Sequence, residues 1–133
     1  MRHTMLATAL AALTSTAAAQ AYPSRPLRII VMYGPGSTID IMARLIAPKL
    51  TEALGQPVIV ENRAGAGGAI GMDMAAKAPP DGHTLTIGAT GPSVTNPLLY
   101  PKTPFDPLRD FAYISLIATQ PGTSGVEVAM VGV

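Results

Sequence analysis

The stretch Gly34-Pro35-Gly36-Ser37-Thr38-Ile39-Asp40 carries residue types whose order could do chemistry. It follows a β-branched apolar run, Leu27-Arg28-Ile29-Ile30-Val31-Met32-Tyr33. It precedes Met42, Leu45, Ile46, Leu50, Ala53 and Leu54 at helical spacing. Strand, Gly/Ser loop and helix start together make a cradle for a small anion. The first turn of a helix offers unpaired N–H groups and partial positive charge, and Ser37 and Thr38 add hydroxyls. Ser37-x-x-Asp40 is equally a capping box, with Ser37 at the N-cap and Asp40 three residues on. Both readings stand on these residues.

Other candidate motifs fare worse. Gly65-x-Gly67-Gly68-x-x-Gly71 is glycine-dense, but the third glycine of a dinucleotide fingerprint would fall on Ile70. A tight turn with close helix–strand packing explains the run as well. Gly91-Pro92-Ser93-Val94-Thr95 approaches a nucleophile elbow but ends in Thr, and no triad histidine follows it. His83 opens a strand on the opposite sheet edge and reads as a packed residue. With no Cys and two His in 133 residues, neither a disulfide framework nor a His or thiolate metal cluster is available. No acid/base or nucleophile constellation argues for an enzyme. A formal charge of +1 and 13% charged residues give no basic patch for nucleic acid.

The elements that must position the candidate residues follow from periodicity and turn chemistry. Strands are expected at residues 27–33, 58–61, 84–88 and 112–118, and helices at 38–54, 70–78 and briefly 97–100. Pro48 should kink or split the first helix, and Gly55 should end it. Pro79-Pro80-Asp81-Gly82 is a turn. The β-α-β-α-β order predicts an α/β fold, an open and mostly parallel sheet with flanking helices. In such a sheet the loops after the strands, at residues 34–40, 62–71 and 88–96, meet on one edge, where ligands bind. Arg63 is the one cation in those loops, so an anion there would be held by N–H groups, hydroxyls and helix ends.

The N-terminus reads as a cleaved secretory signal over residues 1–21. Arg2 and His3 precede the apolar residues 5–13, and Ala19-Gln20-Ala21 places cleavage before Tyr22. The apolar run is too short for a membrane anchor. Export without cysteine suits a bacterial periplasm.

An ordered set of short motifs resembles the substrate-binding receptors of tripartite tricarboxylate transporters, the Bug family of extracytoplasmic solute receptors. The set comprises Tyr22-Pro23-Ser24-Arg25-Pro26, Pro35-Gly36 with Asp40 and Ala43-Arg44, and Leu54-Gly55-Gln56-Pro57-Val58. It continues with Glu61-Asn62-Arg63-Ala64-Gly65-Ala66-Gly67-Gly68, Ala78-Pro79-Pro80-Asp81-Gly82, and Phe105-Asp106-Pro107 with Asp110-Phe111. The resemblance implies a non-enzymatic, monomeric periplasmic binding protein without cofactor, whose two lobes close on a small di- or tricarboxylate or amino acid. The solute would then pass to membrane subunits of the transporter.

Carried over by position, the ligand contacts would be Tyr33, Gly36, Ser37, Thr38 and Asp40. Thr90, Gly91, Ser93, Thr95 and Asn96 would face the cleft from the loop after strand 3. Met32, Gly34, Ser37 and Ile39 depart from the family's usual residues in the first loop. Residues 22–118 would be part of a first lobe. Residues 119–133 read as a divergent tail, and family members exceed twice this length, which implies a truncated or frame-shifted chain. An exported fragment without ligand is the alternative function, and a small α/β enzyme the more distant one.

Overall fold

The structure is a computed structural model that describes residues 21–120 and 125–132. The expected signal segment lies outside the described residues, apart from Ala21. No helix among the described residues is long and apolar enough to cross a membrane.

β1 (Leu27–Val31) is central. Its side chains are buried on both faces, which is why the run is apolar rather than alternating. Ile29 and Val31 face α1 (Thr38–Leu54), packing with Ile39, Ala43 and Ala47. Ile30 and Met32 face the other way, against Met72 and Ala75 of α2 (Ala69–Ala76) and against Phe105 and Phe111. Each fully buried aliphatic chain of this kind contributes about 1.5–3 kcal/mol. β2 (Val58–Asn62) and β3 (Thr84–Gly88) flank β1, both parallel to it, with Leu27 opposite Val58 and Arg28 opposite Thr84.

The sheet order is β2-β1-β3-β5-β4. β4 (Phe111–Gln120) is an outer strand. β5 (Gly125–Gly132) lies between β3 and β4, antiparallel to both. The residues expected as a divergent tail therefore include a strand of the sheet. β4 runs in the direction of β3, so the ends of β1, β2, β3 and β4 share one edge.

Several boundaries differ from expectation, each for a local reason. β1 stops at Val31 because Met32 and Tyr33 bend away as the loop begins. α2 starts one residue earlier and closes at Ala76, with the Lys77 N–H bonded back to Asp73 O at 3.1 Å. α1 runs unbroken through Pro48 to Leu54, without the expected split. It ends on Gly55, whose φ of 70° is left-handed and whose N–H reaches Thr51 O at 2.9 Å.

Residues 89–96, expected as a loop, are mostly helical. A π-helical turn (Gly91–Thr95) leads directly into the short α3 (Asn96–Leu99). At the opposite edge His83 is buried, as expected, stacked edge-on to Tyr22 at 5.1 Å. Tyr22 Oη also donates to Gly82 O at 2.7 Å, so the Tyr22 segment is tied down beside β3.

Candidate functional site

The first loop is organised by a carboxylate. Gly36 takes a φ of +82°, open to glycine at little cost, and turns the chain into the helix. Ser37 is the N-cap, and its Oγ accepts the Asp40 N–H at 3.3 Å. The return half of the capping box is displaced by one residue. Asp40 Oδ2 accepts the Gly36 N–H at 2.9 Å, while the Ser37 N–H goes to Gly34 O at 3.2 Å. The Ile41 N–H is taken by Ser37 O, so the N–H groups of Thr38 and Ile39 are the ones left to the helix tip.

Asp40 is 3% exposed yet charged. Arg44, one turn on, donates Nε to Oδ1 at 3.0 Å and to Oδ2 at 3.1 Å. Asn62, at the end of β2, donates Nδ2 to Oδ1 at 2.9 Å and to Tyr33 O at 3.1 Å, and its Oδ1 accepts from Arg44 Nη2 at 2.9 Å. The bond from Arg44, then those from the Gly36 N–H and the Asn62 amide, outweigh burial and bring the Asp40 pKa down to about 2.

The second loop accounts for its glycines by shape. Gly65, Ala66, Gly67 and Gly68 have successive φ values of 138°, 48°, 63° and 95°. A Cβ on Gly68 would sit 2.8 Å from Pro92 Cγ. One on Gly71 would sit 2.7 Å from Met32 Cα and 2.8 Å from Arg63 O. The run is a tight turn and a close helix–strand approach, and it leaves the dinucleotide reading without support. Arg63 is paired with Glu61 at 3.5 Å.

The third segment closes the edge. The Asn96 N–H reaches back to Gly91 O, the five-residue span of a π turn. Asn96 Nδ2 donates to Gly67 O at 3.1 Å, and a Cβ on Gly91 would lie 3.7 Å from Tyr33 Oη. Loops 1, 2 and 3 therefore touch: Met32 and Tyr33 from the first, Gly67 and Gly68 from the second, and Gly91, Pro92 and Asn96 from the third.

The expected site residues are distributed as follows. Gly36 and Thr38 are exposed on the edge, and Tyr33 and Ser37 half-buried beside them. Asp40 is enclosed behind the loop. Thr90 and Gly91 are half-buried, Thr95 is exposed, and Asn96 is bonded to the second loop. Ser93 Oγ is buried without a hydrogen-bond partner, beside a groove of about 450 Å³ that also includes Pro97, Leu98 and Tyr113. A cleft of about 610 Å³ lies between residues 66–73 and 96–104. Neither hollow is lined by Tyr33, Gly36, Ser37, Thr38 or Asp40. Sequence reasoning left Arg44 and Asn62 outside the site. The i,i+4 spacing of Asp40 and Arg44 was a usable signal; the Asn62 contact, which depends on strand register, was not.

A family model described as "Tripartite tricarboxylate transporter family receptor" matches residues 42–129. The match runs to residue 129, into the segment expected as a divergent tail. The protein in the tcbD-tcbE intergenic region of Pseudomonas sp. (strain P51) is 46% identical over 123 residues, covering 90% of this chain and 36% of that protein. A solved structure titled a periplasmic transporter is 47% identical with a TM-score of 0.71, covering 74% of this chain and 33% of the other. Rpa4515 of R. palustris, solved with adipate, is 40% identical with a TM-score of 0.70, covering 73% of this chain and 32% of the other. The chain spans about a third of the length of the relatives it matches.

Proposed function

The chain belongs to the tripartite tricarboxylate transporter receptor family, and from that premise we propose that it supplies one wall of a periplasmic receptor site for a small di- or tricarboxylate. The site makes and breaks no bonds. It holds the solute for transfer to the membrane subunits of a transporter, and the protein reaches the periplasm by the signal segment read at residues 1–21. The observation that carries this reading is the meeting of the three loops at the ends of β1, β2 and β3, with the tip of α1 among them.

A ligand carboxylate at that tip would accept from the Thr38 backbone N–H, with the Ser37 and Thr38 hydroxyls and the Tyr33 and Thr90 side chains around it. The partial positive charge of a 17-residue helix favours the anion there. The adipate in Rpa4515 supports the choice of a dicarboxylate.

Amide NMR titration of the full chain with adipate, citrate and hexane-1,6-diol tests the proposal. Adipate and citrate should shift Ser37, Thr38 and Gly91 amides in a saturable way, and the uncharged diol should not. Equal shifts with the diol, or none with either acid, would overturn it.

A further inference from the structure

We propose that Asp40, Arg44 and Asn62 are positioning residues, which together hold the turn of residues 33–37 in the shape that receives a carboxylate, and that Asp40 does not itself touch the ligand. The inference rests on the carboxylate reading above and changes the role of one residue within it.

Asp40 has no acceptor capacity to spare. Its two oxygens take four contacts from three donors: the Gly36 N–H, the Asn62 amide and Arg44 Nε. That fills the roughly four lone-pair sites of a carboxylate. It is enclosed, and an anionic ligand set against it would meet like charge.

Asn62 is equally committed. Both of its amide hydrogens have acceptors, Tyr33 O and Asp40 Oδ1, and its oxygen takes Arg44 Nη2. Asn62 of β2 thus fixes the start of the turn that connects β1 to α1, at Tyr33 O, and braces Asp40, which holds its middle at the Gly36 N–H. What the ligand would meet is the outer side of that turn, at Gly36, Ser37 and Thr38. A turn already fixed in its binding shape loses less freedom when a ligand arrives.

The test uses the full chain. Hydrogen exchange at the Gly36 amide is measured without ligand in the parent, Asn62→Ala, Arg44→Gln and Arg44→Lys. Affinities for adipate and citrate are then measured for the same proteins. Asn62→Ala and Arg44→Gln should speed Gly36 exchange by about tenfold or more, with amides of β1 unchanged, and should weaken both acids by the same factor. Arg44→Lys should fall between, since an ammonium can pair with Asp40 without also spanning to Asn62.

Arg44 is half exposed, so its variants report even if Asn62→Ala fails to fold. Gly36 exchange at the parent rate in the Arg44→Gln and Asn62→Ala proteins would overturn the proposal. So would adipate and citrate affinities equal to the parent's in Arg44→Gln and Asn62→Ala proteins whose Gly36 exchange is faster. If the parent binds neither acid, the carboxylate reading falls, while the exchange rates still decide whether these residues position the turn.

Discussion

At the scale of single residues, Asp40 gives a stability signature in pH. Its folded pKa, about 2, lies below the ordinary aspartate value of 3.8, chiefly through Arg44. The folded chain therefore holds that proton less readily than the unfolded one. The stabilisation is complete above the ordinary value, declines as pH falls through it, and is gone once pH passes below about 2. Urea unfolding across this window should show a loss that Asp40→Asn lacks, at the cost of lower stability near neutrality.

Ala66 and Gly71 mark the opposite kinds of backbone demand. Ala66 sits at φ +48°, so Ala66→Gly should gain up to about 1 kcal/mol by relieving left-handed strain. Gly71→Ala should cost about 1–3 kcal/mol, because its Cβ would meet the backbone of Met32 and Arg63. Thermal unfolding checks both. The Ser37–Asp40 box was legible in the sequence because capping is a local pattern. Its displacement onto Gly36 was not, since it depends on Asn62 arriving from another strand.

At the scale of elements, α1 was readable to the residue, from Ser37 at one end to Gly55 at the other. Pro48 does not split it. Ten residues of the helix, Thr38 to Ala47, precede Pro48, and Ile39, Ala43 and Ala47 bury one face against β1, which holds the helix together across the missing N–H. The proline still lacks its bond. Pro48→Ala, at an exposed position, should raise stability by about 1–3 kcal/mol, read as a higher unfolding midpoint in denaturant.

The segment after β3 was hidden for a different reason. Gly91-Pro92 reads as a turn, yet proline is well suited to the first turn of a helix, and Pro92 is buried against the second loop. Local composition could not distinguish a loop from a helix start whose partner lies at Gly68.

At the scale of the molecule, the sheet's parallel half was legible from the alternation of strands and helices. The placement of β5 was not, because no local pattern states which strands a segment will separate. The described residues offer one wall to a ligand, and a solute held on one side keeps its other side in water. Calorimetry with adipate on this chain should accordingly give a dissociation constant near the millimolar range, about −4 kcal/mol. Micromolar binding would mean that one wall suffices. Leu98, Leu99, Tyr100 and Leu108 stand well exposed on the side of α3 and the segment after it. Surface of this kind promotes association. Leu98→Glu combined with Leu108→Glu should reduce light scattering at high concentration without moving the unfolding midpoint.

The order of strands in the sheet also sets an order in time. β4 precedes β5 in the chain, yet β5 occupies the position next to β3. As the chain folds, β4 has no neighbour to pair with until residues 125–132 take their place. The nascent sheet must wait as three strands, with the β3 edge and the whole of β4 unpaired, and then gain two strands in a single closing event. That event joins Leu85 to Val131 across a long intervening chain. Closure over such a separation is slow compared with helix formation, and exposed strand edges are where newly made chains adhere to one another. The most vulnerable moment in the folding of this protein is therefore the interval before residues 125–132 enter between β3 and β4.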